Sequence, residues 1–180
     1  MKAQDRPGKA LALMLVAVVL GGCGGGGEAA EHTERFTQGG VSMEPTVMHG
    51  QVVTVRKVDG GYAPRRGDVV LFRGAGAQWV ASSAPLLKRV VAIGGETVAC
   101  CDQAGRVTVD GSPLDESYLG ENSPLDVAPN PRSCGSRRFA PVAVPADAIF
   151  VMGDNRARSN DSRCAGPVPV ASVSGVMTGG

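Results

Sequence analysis

Hydrophobic residues occur in short runs along this chain, and polar or glycine-rich turns separate one run from the next. The runs are rich in valine and other β-branched residues, which is typical of strands. No segment has the period of an amphipathic helix, and the chain has no internal repeat. We therefore predict a mainly β fold, either a coiled sheet or a partly open barrel. The predicted strands lie at residues 51–58, 69–73, 85–93, 97–100, 106–109, 142–144, 148–152, 168–170 and 173–176.

One long stretch between these runs lacks the strand pattern. Residues 111–138 are rich in proline, serine and asparagine, and a short stretch of this composition is held together by a disulfide more readily than by a core of its own. We therefore predict a loop-rich insertion over residues 111–138.

The first 23 residues have the pattern of a membrane-targeting segment. Lys2, Arg6 and Lys9 precede an uninterrupted apolar run at residues 10–20, and two glycines and Cys23 follow it. The run is shorter than the ~20 residues that span a membrane. Because the end of the segment resembles a bacterial lipobox, we predict that Cys23 is acylated. The alternative is an uncleaved signal anchor that the glycines extend.

Either form of attachment gives the same topology. The cations of the targeting segment stay on the inner side of the membrane, and everything after residue 23 faces outward. Residues 24–35 include four consecutive glycines and are predicted to be a flexible tether. Met43, Phe72 and Trp79 are candidates for an apolar rim that enters the lipid surface, although core packing explains Phe72 equally well.

Four further cysteines, an even number, lie in the part of the chain predicted to face outward, where disulfides form. They are Cys100, Cys101, Cys134 and Cys164. A bridge between the two adjacent cysteines would be strained, so we expect each of them to pair with one of the other two. A zinc site is disfavoured because paired C-x2-C spacings are absent. We expect no metal and no cofactor.

The charge pattern directs attention to one lysine. The chain has 18 basic and 17 acidic residues, so its composition lacks the excess of positive charge that is typical of proteins that bind nucleic acid. After residue 23 the chain has only two lysines, Lys57 and Lys88. Unlike arginine, a lysine loses its proton readily once it is desolvated. Lys57 ends a strand beside another cation, which indicates a solvated charge.

Lys88 lies within a predicted strand, on the face that alternation gives to Leu86, Val90 and Ala92. A charge on such an apolar face has two explanations. It is an edge residue that prevents aggregation, or it is a buried, neutral amine that can act as a general base.

A hydroxyl for that base is available in a turn rich in glycine and proline. Ser42 lies in the segment Gly-Val-Ser-Met-Glu-Pro-Thr at residues 40–46; alone, this pattern indicates only a turn. The chain has two histidines, His32 in the tether and His49 in a predicted turn. Neither histidine is a good candidate for the base of a Ser-His-Asp triad. A pair of Ser42 and Lys88 is therefore the better hypothesis.

A third polar block follows the strand predicted at residues 148–152. Gly-Asp-Asn at its start is ordinary turn chemistry, but residues 153–163 also gather two serines, a further acid and three arginines. Such a cluster suits a buried hydrogen-bonded network that braces a site.

These three blocks, in this order, resemble those of the type I signal peptidases. The resemblance covers about residues 36–176 and implies a signal-peptidase-type coiled sheet or partly open barrel, with a catalytic domain at residues 36–100 and 140–180 and a reduced inserted domain at 101–139. Gly95-Glu96 stands where Gly-Asp is commoner. The blocks are Ser42-Met43-x-Pro45-Thr46, Lys88-Arg89-Val90-Val91-Ala92-x-x-Gly95-Glu96 and Gly153-Asp154-Asn155-Arg156-x-x-Ser159-x-Asp161-Ser162-Arg163.

The resemblance also implies a role for each matching residue. Ser42 would be the nucleophile, Lys88 the general base, and the backbone N–H of Ser42 an oxyanion donor. Some relatives place a hydroxyl two positions earlier, where this chain has Gly40. Met43 and Pro45 are candidates for substrate binding. The supporting residues would be Ser159, bonded to the Lys88 amine, the ion pair of Asp161 and Arg163, and the loop residues Gly153, Asp154, Asn155, Arg156 and Ser162.

The implied function is that of a membrane-associated serine endopeptidase at the outer face of the plasma membrane. It would remove signal peptides from exported preproteins by cleaving after small residues at −1 and −3. We expect preproteins and the lipid surface as partners, no nucleic acid, and a monomeric chain. Two alternatives stay open: a specialised Ser-Lys processing peptidase of a secretion or conjugation system, and a non-catalytic exported β lipoprotein that binds a partner.

Overall fold

The computed structural model describes residues 32–58, 61–74, 79, 84–130 and 132–180. The targeting segment, Cys23 and most of the tether lie outside these residues. The strands are β1 Thr33–Thr37, β2 Val52–Lys57, β3 Val69–Phe72, β4 Leu86–Ile93, β5 Thr97–Cys100, β6 Val107–Val109, β7 Ser112–Pro113, β8 Phe139–Ala143, β9 Ala148–Met152, β10 Val168–Pro169 and β11 Val173–Gly179. One α-helix, α1, spans Ser162–Ala165, and 3-10 turns span Arg156–Arg158 and Val170–Ser172.

The strands form two antiparallel sheets, which confirms the prediction of a mainly β fold. The larger sheet has seven strands in the order β1-β2-β11-β3-β4-β9-β10, and the smaller has four in the order β7-β6-β5-β8. Within the described part of the chain, neither sheet closes into a barrel.

Strand β4 lies inside the larger sheet, between β3 and β9. Lys88 is opposite Val70 of β3, and Arg89 is opposite Met152 of β9. The interpretation of Lys88 as an edge residue is therefore wrong, because both sides of its strand are paired. This placement also brings the polar block that follows β9 next to Lys88.

A β-bulge changes the facing of side chains along β4. The register of β4 on β9 shifts between Val90 and Ala92, and such a shift breaks the alternation of a strand. Val90 packs in one core cluster with Val70, whereas Ala92 packs in another with Phe150. The predicted common face of Val90 and Ala92 is therefore wrong.

The smaller sheet packs against the larger one through a shared apolar cluster. Phe150 of β9 stacks on Phe139 of β8, with 5.4 Å between the ring centroids. Residues 101–139 contain β6 and β7, but β5 and most of β8 flank that range. The smaller sheet thus extends beyond the predicted insertion, and the division into two domains stays a prediction.

The predicted tether ends earlier than residue 35. Residues 33–35 belong to β1, which pairs along its whole length with β2. Phe36 of the same strand packs against the cluster around Val53 and Val55. The strand forms because one side chain can reach that core while the backbone pairs with β2.

Two disulfides are present, and their pairing differs from the prediction. Cys100 joins Cys101, and Cys134 joins Cys164. Cys100 packs in the core beneath the smaller sheet, whereas Cys134 and Cys164 both lie at Asp161, 5.4 Å apart between their Cα atoms. The prediction was wrong because the fold separates the adjacent cysteines from the other two.

The predicted apolar rim is also wrong. Met43 and Phe72 are completely buried, and Trp79 is 4% exposed and meets Phe72 edge to face at 5.2 Å. Core packing therefore accounts for these side chains. Among the residues that the structure describes, no helix is both long and apolar enough for a membrane span.

The shared cluster gives a test of the fold. Phe150 is completely buried, so Phe150→Ala should lower the free energy of unfolding by about 3–5 kcal/mol through lost contacts and the cavity left behind. Urea unfolding followed by circular dichroism measures the change. Val52→Ala is the control, because Val52 is 39% exposed and should change stability by no more than about 0.5 kcal/mol. Equal effects of the two substitutions would contradict a common core under the two sheets.

Candidate active site

Ser42 is presented by a turn that is anchored on both sides. The N–H of Val47 donates to Met43 O at 3.0 Å, which closes the turn after the serine. The N–H of Asn155 donates to Ser42 O at 3.1 Å and ties the serine backbone to the block after β9. Ser42 itself is half-buried, so its hydroxyl sits on a fixed backbone at an accessible position.

The two residues predicted to bind substrate differ in exposure. Met43 is completely buried, in a cluster with Leu71 and Leu87, so it cannot contact a substrate and instead anchors the turn that carries Ser42. Pro45 is exposed, and its role stays a prediction.

The amine of Lys88 meets the hydroxyl of Ser42, although 46 positions separate the two residues. The Nζ–Oγ distance is 2.8 Å, and Nζ also donates to Leu87 O at 3.0 Å. Lys88 is only 4% exposed. The strand therefore delivers a lysine to a serine in an environment that excludes most water.

Burial changes the acidity of this amine. Desolvation lowers the pKa of Lys88 from 10.5 to about 8, while the charges of Asp161 and Asp154 oppose the shift. The neutral amine is consequently accessible at mildly alkaline pH, which an exposed lysine does not permit.

Asp161 forms the predicted ion pair with Arg163. Arg163 Nε lies 2.9 Å from Oδ1 and Nη2 lies 3.0 Å from Oδ2, and the N–H of Gly153 also donates to Oδ2, at 3.1 Å. Burial raises the pKa of the Asp161 carboxyl, but the charge and hydrogen bonds of Arg163 outweigh it, so the pKa is lowered. Asp161 therefore stays a carboxylate although it is completely buried.

Ser159 takes a different partner from the one predicted. Its hydroxyl lies 3.4 Å from Asn160 O and is hydrogen-bonded to Asp161. Within the described residues, the Lys88 amine has hydrogen bonds only with Ser42 and Leu87. Ser159 thus contacts the lysine's carboxylate neighbour, and the predicted bond between Ser159 and Lys88 is not formed.

The family profile described as "Signal peptidase, peptidase S26" matches residues 11–178. This chain belongs to the signal peptidase family S26. The resemblance drawn from the three sequence blocks is thereby confirmed.

Several known proteins are similar to this chain over most of its length. Signal peptidase I of Mycobacterium tuberculosis (strain ATCC 25618 / H37Rv) is 34% identical over 178 residues, covering 74% of this chain and 60% of that protein. Signal peptidase I of Bacillus licheniformis is 36% identical over 134 residues, covering 72% of this chain and 66% of that protein. A crystal structure of a signal peptidase I from Enterococcus faecalis V583 is 28% identical with a TM-score of 0.45, covering 65% of this chain and 98% of that one. The chain thus spans about 60–66% of these curated relatives.

In this family member, the completely buried Asp154 forms a second ion pair near Lys88, with the partly buried Arg89. Arg89 Nε lies 2.9 Å from Oδ1 and Nη2 lies 2.7 Å from Oδ2, a bidentate arrangement. Thr46 donates to the same carboxylate, and the Arg89 guanidinium lies over the ring of Tyr118, 4.0 Å from its centroid. Arg89 and Thr46 stood in the motif blocks, but sequence reasoning gave them no role.

Arg156 connects the same block to the predicted insertion. Its guanidinium pairs with Glu116 at 2.5 Å, and both side chains are almost completely buried. Its Nε donates to Gly153 O at 3.0 Å. Sequence reasoning missed Glu116, because it lies in a segment without a motif.

Gly153 is a position where only glycine fits. A Cβ atom there would collide with Ser159 Oγ and Ser42 O. Its N–H binds Asp161 and its carbonyl binds Arg156, so the backbone of Gly153 joins the two arginine pairs beneath Ser42.

A cavity of about 290 Å³ opens beside Ser42 and Lys88, between the residues after β1 and the start of β4. Gly39 and Gly40 contribute no side chains to it, and a Cβ atom at either would meet nothing within 4 Å. It offers space for small groups next to the serine. In the described part of the chain, no group of three or more His, Cys, Asp or Glu residues could hold a metal ion.

The buried amine of this family member predicts a pH-dependent stability. The pKa of Lys88 in the folded state, about 8, lies below its ordinary value of 10.5, so between these values the unfolded chain binds more protons and stability rises with pH. Compared with Lys88→Met, which cannot titrate, the wild type should gain up to about 3 kcal/mol over that range and nothing below it. Urea unfolding of both proteins from about pH 7 to pH 10 measures the difference. A constant difference would contradict the depressed pKa.

Proposed function

We propose that this chain is a membrane-associated serine endopeptidase that removes signal peptides from exported preproteins with a Ser-Lys dyad. The observation that supports it most strongly is the 2.8 Å contact between Lys88 Nζ and Ser42 Oγ within a buried site. A general base must lie within hydrogen-bond reach of the proton that it removes. Family membership supports the same reaction class.

In the first half of the reaction, the neutral Lys88 amine accepts the proton of the Ser42 hydroxyl while Oγ attacks the scissile carbonyl carbon. The Ser42 N–H stabilises the negative charge that develops on the carbonyl oxygen. Because Gly40 supplies no hydroxyl, this oxyanion depends on backbone donors or on water. The Lys88 ammonium then gives its proton to the leaving amine, and the peptide bond breaks.

In the second half, water hydrolyses the ester that joins the substrate to Ser42. Lys88, neutral again, removes a proton from the attacking water and returns one to Ser42 Oγ as the ester bond breaks. Asp161 and Asp154 stabilise the ammonium at each stage at which Lys88 carries the proton, since both carboxylates act on its pKa.

The cavity beside Ser42 supports cleavage after small residues at −1 and −3. A substrate in extended conformation would lie along the chain after β1 and the start of β4, with its alternate side chains turned into the cavity. The lining by Gly39, Gly40 and Ala84 leaves space next to the serine. Pro45, which is exposed, would contact the substrate on the other side of Ser42.

The proposed location is the outer face of the plasma membrane. Residues 1–23 would attach the chain through acylated Cys23 or as an uncleaved anchor, and residues 36–100 and 140–180 would form the catalytic domain with 101–139 as its insertion. The partners would be exported preproteins and the lipid surface, and the chain would act as a monomer. Two disulfides among the described residues suit that compartment.

Two substitutions test the dyad. Ser42→Ala removes the nucleophile, and Lys88→Arg keeps the charge but removes a group that can deprotonate. Each should lower kcat/KM for a preprotein with Ala at −3 and −1 by at least about 100-fold, because the general base alone contributes that much. Cleavage is measured by gel shift of the purified preprotein.

Lys57→Arg is the matched control. Lys57 is the other lysine of the described residues, and its side chain is 47% exposed and pairs with Glu34 at the surface. This variant should cleave at the wild-type rate. Full activity of Lys88→Arg, or the same loss in Lys57→Arg, would contradict the dyad and favour a non-catalytic exported protein.

The pH dependence of cleavage tests the protonation state of the base. Only the neutral amine can accept the serine proton, so kcat/KM should rise about tenfold per pH unit below the pKa of Lys88 and level off above about pH 8. Steady-state rates from about pH 6 to pH 10 give the profile. A rate that stays constant through this range would exclude Lys88 as the base.

A further inference from the structure

The Cys134–Cys164 disulfide lies directly against the backbone of Asp161. The N–H of Asp161 donates to Cys134 Sγ at 3.2 Å, and the N–H of Cys164 donates to Asp161 O at 3.1 Å. The N–H of Cys134 donates to Ser159 O at 3.0 Å. The disulfide and two of these hydrogen bonds, the ones that involve Cys134, therefore fasten the loop around Cys134 to the segment that carries Asp161.

Arg163 joins the same two segments through its guanidinium group. One of its nitrogens, Nη1, donates to Ser136 O at 3.1 Å, while Nε and Nη2 bind the Asp161 carboxylate. The carboxylate is thus held by an arginine whose own position depends on the loop that the disulfide closes.

Asp161 in turn acts on the dyad through Gly153. Its carboxylate accepts the N–H of Gly153, which follows Met152, the residue opposite Arg89 in the sheet. Two residues later the N–H of Asn155 holds Ser42 O. Both the charge near Lys88 and the backbone beneath Ser42 therefore depend on where Asp161 lies.

We propose, on the basis of the function proposed above, that the Cys134–Cys164 disulfide is a positioning element of the site, which holds the Asp161 carboxylate beside Lys88. The site is then complete only after the two thiols have been oxidised. In that step the thiols lose two protons and two electrons to a disulfide oxidant, which leaves as two thiols. Such oxidants belong to the outer side of the membrane, so the peptidase gains its full activity only after export.

The charges around Lys88 predict the direction in which its pKa changes when the disulfide is lost. The acidic groups that act on it are Asp161 and Asp154, bound by Arg163 and Arg89 respectively. The pair of Asp154 and Arg89 has no contact with the disulfide among the described residues. Loss of the disulfide should therefore weaken only the influence of Asp161, and the pKa of Lys88 should fall further.

A pair of double variants of the full chain tests this inference. Cys134→Ser with Cys164→Ser should lower kcat on the order of tenfold or more, as removal of an outer support of a catalytic site does, and should move the acidic limb of the pH–rate profile to lower pH. Cys100→Ser with Cys101→Ser removes the other disulfide and should leave both quantities unchanged. The proposal would be overturned if kcat and the acidic limb of the pH–rate profile were unchanged in the Cys134→Ser, Cys164→Ser variant. Equal effects in the two double variants would overturn it as well.

A second readout does not require activity. In protein with ¹³C-labelled lysine, an NMR titration measures the pKa of the Lys88 amine directly. This pKa should fall in the Cys134→Ser, Cys164→Ser variant and should stay unchanged in the Cys100→Ser, Cys101→Ser variant. An unchanged pKa in the former variant would overturn the inference. If instead the wild type shows no cleavage that depends on Ser42, the proposed function fails while this titration still decides the role of the disulfide.

Reduction of the folded protein covers the case in which the variant does not fold. In the Cys100→Ser, Cys101→Ser background, dithiothreitol can reduce only the disulfide between Cys134 and Cys164 among the described residues. The rate of cleavage should fall and should recover when a disulfide oxidant is added. Undiminished cleavage by the fully reduced protein, with thiol content checked by mass spectrometry, would overturn the proposal.

Discussion

The structure depends on one energetically unfavourable feature, the buried amine of a lysine on an interior strand of the larger sheet. Strand β4 is paired on both sides, so the Lys88 side chain cannot reach water past a free edge. An ammonium in such a position is destabilised by desolvation, and the fold must hold it there by other means. Met43 and Asn155 fix the serine turn, and the surrounding core fixes the strand, so that amine and hydroxyl stay in contact.

Two carboxylates offset part of the effect that desolvation has on the pKa of Lys88. Asp161 and Asp154 are both completely buried, and each binds an arginine, Arg163 or Arg89. Because each pair is close to neutral as a whole, the lysine experiences acid groups whose charge is largely compensated. The result is a pKa between that of an exposed lysine and that of an isolated buried one, which suits a base working near neutral pH.

The sequence predicted the proximity of Ser42 to Lys88 and the pair of Asp161 and Arg163 better than the other contacts around them. Ser42, Lys88 and the pair of Asp161 and Arg163 could be found because they lie in short motifs and because few lysines were available. The β-bulge after Val90 could not, since alternation assumes regular pairing. The disulfides could not, because their pairing depends on which segments the sheets bring together. Glu116 and Tyr118 reach the site from a segment whose sequence carries no signal, and only the fold reveals them.

The short stretch at residues 101–139 is part of the site's support rather than an addition to it. Glu116 binds Arg156, Tyr118 lies under Arg89, and Cys134 is bonded to Cys164. Each contact ends on an arginine or cysteine within, or directly after, a sequence block that also carries Lys88, Asp154 or Asp161. A shorter version of this stretch would therefore leave the buried guanidinium of Arg156 without Glu116, at a cost of several kcal/mol. That cost explains why a segment with little regular structure is nevertheless fixed in place.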